Sequence, residues 1–239
     1  MLQQRKQSKM PASYDKIAEL KKMWEKIRLK RMSKSDRQSL VQKSIATLAD
    51  GDLHDLIFKH DASRVVQSLL KYADVKTDRP RLLKELEPHF VQMAQSAYGR
   101  FVVLKALKYA PNAQWRSRIV QAFMDSPSNK VKMTKLIKHK QAALVVDTIY
   151  CLYANAKERQ LMIEYYYGPE FLILQQSASA LEATAEKKSQ NNSGKRISLE
   201  MVLQRFPEKR ERILTQMKDR LLTLVGKEGT VGQNEILHR

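Results

Sequence analysis

Three segments of the chain align with one another without gaps over thirteen positions: HDASRVVQSLLKY (60–72), AYGRFVVLKALKY (97–109) and KQAALVVDTIYCL (140–152). Each carries a Val-Val pair, at 65–66, 102–103 and 145–146, and the first two close on Lys-Tyr. Ser63, Arg100 and Ala143 occupy equivalent positions, so the offsets are 37 and 43 residues. A period near 40 without alternating strand pattern indicates stacked helical units, each of which needs its neighbours to bury an apolar face.

Apolar helical segments also flank each motif. One precedes it (53–58, 89–94, 131–137) and another follows (79–86, 113–124, 157–166), giving three short helices per unit. The expected fold is therefore all-α: a right-handed-type superhelical solenoid of three-helix, armadillo-like repeats with an N-terminal helical cap. The expected organisation is a disordered basic arm at 1–12, N-terminal helices at 13–50 and repeats over 51–239. The repeats divide at about 51–86, 87–126, 127–166, a degenerate 167–206 and a partial 207–239, with a flexible loop near 185–195. In the cap, Ser13 is placed to start a helix with Ile17, Leu20, Trp24 and Ile27 on one stripe. A second helix after Ser35 carries Leu40, Val41, Ile45 and Leu48 and ends at Asp50-Gly51. The last helical pattern, VGQNEILHR (231–239), has no polar capping repeat after it, which reads as a fragment of a longer protein.

Seven glycines and seven prolines in 239 residues are too few for the turns of an all-β fold. The net charge is +19, from 44 basic and 25 acidic residues. Residues 1–50 hold 13 basic and 5 acidic groups, 51–150 hold 17 and 9, and 151–239 hold 14 and 11. An excess of this size concentrated in the first two thirds points to a polyanion, with nucleic acid ahead of an anionic membrane or an acidic protein. The single cysteine, Cys151, excludes a disulfide framework and a thiolate metal site. The opening MLQQRKQSKM lacks an apolar core, and no apolar run reaches the ~20 residues that span a bilayer, so no membrane partner is expected. The basic run KIRLKR (26–31) fits a nuclear localisation signal. No Gly-rich phosphate loop, HExxH or nucleophile elbow occurs. The expectation is a binding protein and not an enzyme, without cofactor, metal or small-molecule substrate.

Projected onto a helix, the first motif puts Ala62, Val66, Leu69, Leu70 and Ala73 on a core face, with Ser63, Arg64, Gln67 and Lys71 opposite. The second puts Gly99, Val103, Ala106, Leu107 and Ala110 inward and presents Arg100, Phe101, Leu104, Lys105 and Lys108. HDASRVVQ resembles the recognition helix of Pumilio-type (PUF) repeats. More widely, FKHDASRVVQSLLKY (58–72), ELEPHFVQMAQSAYGRFVVLKALKY (85–109), LIKHKQAALVVD (136–147), YYGPEFLILQ (166–175) and VLQRFPEKRERILTQMK (202–218) resemble the Puf-A branch of Pumilio-like nucleolar proteins. That resemblance implies RNA binding with little sequence preference, in ribosome assembly in the nucleolus.

In a PUF repeat, two side chains one turn apart contact a base edge while an intervening one stacks between bases. The resemblance assigns Ser63 and Gln67 to an edge, a pair similar to the family's adenine reader, and Arg64 to stacking. The second repeat offers Arg100, Phe101 and Leu104, and leucine cannot hydrogen-bond a base. The third offers Ala143, Leu144 and Asp147, which neither stack nor welcome a phosphate. A base-by-base code thus breaks after one unit. A basic track remains: Arg64, Lys71, Arg100, Lys105 and Lys108, with Lys130, Lys132, Lys135, Lys138 and Lys140 in a stretch free of acids between Asp125 and Asp147. The expected partner is RNA, pre-ribosomal RNA first, with DNA bound by the same surface and pre-ribosomal proteins as further partners. The alternative is an armadillo- or HEAT-like scaffold that holds acidic peptides. Simpler roles are set beside these. Arg64 could pair with Asp61, Phe101 could pack between repeats, His60 and His139 could cap or bridge repeats, and Trp24 and Trp115 read as core.

Overall fold

The computed structural model describes residues 11–49, 56–124, 133–185 and 197–225. Among these residues the chain is helical, with no strand. The chain divides between Tyr153 and Ala154 into two compact units.

The first unit opens with α1 (Pro11–Ile27) and α2 (Lys34–Ala49), the helices expected as a cap. Next come α3 (His60–Tyr72), α4 (Asp78–Leu86), α5 (Phe90–Gln95), α6 (Gly99–Lys108), α7 (Ala113–Gln121), α8 (Met133–Ile137) and α9 (Ala142–Thr148). The last runs on into a π-helical turn, Ile149–Tyr153. The repeated motifs form α3, α6 and α9. Together with α1 they make a ladder in which α1 packs on α3, α3 on α6 and α6 on α9. The other helices pack against this ladder, α2 on α1 and α3, α5 on α6, and α8 on α9.

The repeated Val-Val pairs explain the ladder. Val65, Val66, Val102, Val103, Val145 and Val146 are all buried, so each pair feeds two adjacent positions of its helix into the core. Each such aliphatic side chain stabilises by about 1.5–3 kcal/mol. Gly99 serves a different need. A Cβ there would lie 2.9 Å from both Cα and the carbonyl oxygen of Met93, so the start of α6 approaches the backbone of α5 where no side chain fits. Gly99→Ala is expected to lower stability by about 1–3 kcal/mol through overpacking, read as a lower urea midpoint at unchanged slope.

Arginines recur at one position of the helix that follows each ladder helix, and Arg37 and Arg79 close the ends of ladder helices. Arg37, Arg79, Arg116 and Arg159 each lie in the first turn of the helix that follows a ladder helix in the chain, at offsets of 42, 37 and 43 residues. Arg37 donates from Nε to the Ile27 carbonyl (3.0 Å) and from Nη2 to that of Leu29 (2.7 Å). Its guanidinium also lies 5.0 Å from the Tyr72 ring. Arg79 is buried and donates to the carbonyls of Lys71 (3.2 Å), Ala73 (2.9 Å) and, one repeat on, Tyr109 (3.2 Å). Burial lowers its pKa from the ordinary arginine value. Arg116 lies 5.8 Å from the Tyr153 ring, and Arg159 donates to the Ala154 carbonyl at 2.9 Å. Carbonyls at a helix C-terminus lack intrahelical donors and carry partial negative charge, so a guanidinium satisfies both demands. Because Arg37 repeats this role, α1 and α2 act as one more turn of the ladder.

The second unit contains α10 (Ala156–Tyr167), α11 (Pro169–Ala185), α12 (Leu199–Arg205) and α13 (Arg210–Val225). A capping box starts α10, with Asn155 accepting from the Glu158 N–H and the Glu158 carboxylate accepting from that of Asn155. Phe171, Ala178, Ile197, Val202 and Ile213 form the core of this unit. Gly168, at φ +99°, makes the left-handed turn between α10 and α11 that other residues resist.

Candidate nucleic-acid interface

The ladder helices present one row of side chains each. On α3, Arg64 and Lys71 are exposed and Gln67 is half-buried. On α6, Phe101 and Lys108 are exposed, while Arg100, Leu104 and Lys105 are half-buried. The Arg100 guanidinium lies 4.6 Å from the Phe101 ring, and Lys105 and Lys108 lie 5.8 and 5.9 Å from that of Tyr109. Lys135 on α8 and Lys140 in the following turn are exposed, with Lys138 half-buried. Lys130 and Lys132 fall outside the described residues.

Ser63 departs from the expected presented face. It is 1% exposed, and its hydroxyl donates to the His60 carbonyl at 2.8 Å. Its place in the first helical turn explains this, since a short hydroxyl there reaches the carbonyl three residues back. Ala110, expected inside, is half-buried beyond the end of α6.

The simpler roles also have outcomes. The side chains that meet the Asp61 carboxylate are the His60 ring (3.0 Å) and Lys21 (3.6 Å), not Arg64. These hold its carboxyl below the ordinary value, the His60 hydrogen bond first. The His60 ring meets Tyr98 edge-on at 5.0 Å, bridging two repeats. His139 caps α9: its Nδ1 accepts from the N–H groups of Gln141 (3.2 Å) and Ala142 (3.3 Å). Ser96 does the same for α6, accepting from Tyr98 (3.3 Å) and Gly99 (3.2 Å). Neither tryptophan is core. Trp115 is half-buried with Arg118 4.4 Å from its ring, and Trp24 is half-buried with Arg28 and Arg64 at 4.6 and 5.4 Å. Trp24 was missed as a surface group because an amphipathic projection assigns any aromatic to the apolar stripe.

Residues 28–132 match the NOP9-like PUF repeat domain. Pumilio homology domain family member 6 of Saccharomyces cerevisiae is 31% identical over 198 residues, 82% of this chain and 28% of that protein. The chain belongs to the PUF-repeat family. Pumilio homolog 3 of Homo sapiens is 27% identical over 238 residues, all of this chain and 33% of that protein. The crystal structure of human Puf-A in complex with DNA superposes with a TM-score of 0.77 at 26% identity, covering 94% of this chain and 39% of that one. The chain thus spans about a third or less of the curated relatives it matches.

Arg64, Phe101 and Leu144 occupy the position to which the PUF resemblance assigns stacking, and Leu144 has no planar group to stack. All three are exposed, Phe101 at 40% and Leu144 at 38%. The flanking edge positions are each half-buried or buried, and none repeats a hydrogen-bonding pair: Ser63 and Gln67, Arg100 and Leu104, Ala143 and Asp147. Stacking-capable side chains stand at the stacking position in the first two repeats only, as Arg64 and Phe101, and no hydrogen-bonding edge pair recurs beside it.

Proposed function

We propose that this PUF face binds RNA, and DNA by the same contacts, with little base preference, in a nucleolar factor for pre-ribosomal RNA processing. The observation that carries it is the contrast within each repeat. The stacking positions are open, whereas the single edge pair has lost Ser63 to a backbone carbonyl. Phosphate contacts position a nucleic acid and carry no sequence information, so a surface limited to cations and stacking reads backbone. The human Puf-A complex with DNA supports this reading, since a backbone reader discriminates poorly between the two nucleic acids. The nuclear and nucleolar placement is supported by the Puf-A resemblance and by the basic run at 26–31. Proteins of the pre-ribosomal particle are the further partners this role calls for. The role is one of binding, not catalysis.

Fluorescence anisotropy with two unrelated single-stranded RNAs tests it. The affinities are expected to agree within about threefold and to survive Gln67→Ala within the same margin, because edge readout contributes little. If six phosphates are neutralised, log K falls against log salt with a slope of about −4 on single strands. A strong preference for one RNA that Gln67→Ala abolishes would show a working PUF code. Absence of binding at low salt would instead favour the scaffold for acidic peptides.

A further inference from the structure

The seam between α1 and α3 holds a cluster that the PUF positions do not account for. Trp24, Arg28, Arg64 and Ser68 meet there. The indole Nε1 donates to Ser68 Oγ at 2.7 Å, which fixes the ring between the two helices. The guanidinium carbons of Arg28 and Arg64 lie 4.6 and 5.4 Å from the ring centroid. Both arginines are exposed, and among the described residues neither has a carboxylate partner.

The other tryptophan shows what a purely structural version of this contact looks like. Arg118 lies 4.4 Å from the Trp115 ring, but Glu87 neutralises it, accepting from its Nε (3.3 Å) and Nη2 (2.6 Å). At Trp24 two like charges converge on one ring with no counter-charge. Two guanidiniums beside one ring without a counter-charge attract an anion, and phosphate suits the planar fork of each. The ring beside them is an oriented aromatic surface, the kind on which unpaired bases stack.

We propose that Trp24, Arg28 and Arg64 form a binding site for one unpaired nucleotide, the base on the indole and its phosphate held by the two arginines. The inference rests on the nucleic-acid reading of the PUF face and extends that face to the N-terminal helix. An exposed cation–π contact is weaker than a base–aromatic stack, so an arriving base displaces a guanidinium from the ring and frees it for the phosphate. Arg64 is the more distant of the two and serves both this site and the stacking position of the first repeat.

The test uses the whole chain carrying Trp115→Phe, so that Trp24 is the sole indole emitter. Single-stranded oligouridylate, duplex RNA and inorganic polyphosphate are titrated, with binding followed by anisotropy or competition and Trp24 followed by its emission. Oligouridylate is expected to quench Trp24, while polyphosphate binds without quenching and duplex RNA quenches little, its bases being paired. Trp24→Leu is expected to weaken oligouridylate binding about tenfold and duplex binding hardly at all. Trp24→Phe keeps a ring and restores much of the affinity. Arg28→Ala, at an exposed position that leaves the Ser68 bond intact, is expected to lower oligouridylate affinity severalfold with the fold preserved. Tight oligouridylate binding with unchanged Trp24 emission, and no effect of Trp24→Leu or Arg28→Ala, overturns this site and leaves the broader reading standing. No binding of any of the three overturns both.

Discussion

Lys105→Glu combined with Lys108→Glu is expected to lower affinity for single-stranded RNA by about one to two orders of magnitude at low salt, equally for unrelated sequences. Both side chains lie on α6 beside the Tyr109 ring, and neither has a carboxylate partner among the described residues. Their charge is therefore available to phosphate and is not spent on an internal pair. Removing two phosphate contacts makes the log–log salt slope shallower by about 1.4 on single strands. The reversed charges add repulsion that fades as salt rises, so wild-type and variant curves converge. The control is Arg210→Glu with Lys218→Glu. Both positions are exposed, in the second unit, and carry the same change in net charge. There the expected loss is below about threefold, since the proposed phosphate contacts lie on the first unit's ladder face. Anisotropy titrations from low to physiological salt separate the two pairs.

The second large effect concerns the fold. Arg79→Ala is expected to destabilise the first unit by about 3–5 kcal/mol, because three carbonyls lose a charged donor and part of the site is too buried for water to replace it. Arg79→Lys should recover part of this, since an ammonium reaches some of the carbonyls but not in the guanidinium's planar arrangement. Arg81 on the same helix gives the contrast. Its ion pair with Glu85, 3.7 Å long and exposed, contributes little, so Arg81→Ala is expected to change stability by less than about 0.5 kcal/mol. Urea unfolding followed by circular dichroism distinguishes the two arginines.

These residues show what could and could not be read in advance. The Val-Val pairs were legible because burial on a ladder helix demands apolar side chains at fixed spacing, and that demand leaves a repeat in the sequence. The helix at 60–72 coincides with its motif for the same reason. The arginine connectors left an equally regular spacing, but a lone charged residue reads as surface. Only packing shows that helix ends converge where Arg37 and Arg79 reach. Ser63 misled because helical projection gives direction and not depth. The projection places it beside Arg64, yet its short hydroxyl turns back onto its own helix. Trp24 misled in the opposite sense, a large apolar ring that lies at the edge of a seam because its indole N–H is tied to Ser68. The cap at His139 was legible as a capping histidine. Its equivalent Ser96 caps α6 with a hydroxyl, and serine before a helix is a common cap.

The ladder face of the first unit is where we propose that nucleic acid lies. Ultraviolet crosslinking of the whole chain to single-stranded RNA, with the crosslinked residues mapped by mass spectrometry, tests it most directly. The predicted crosslinks fall on Phe101 of α6 first, with Trp24 of α1 and Tyr98 just before α6. Crosslinks confined to residues 154–225, with Phe101 and Trp24 unmodified at saturating RNA, would contradict it.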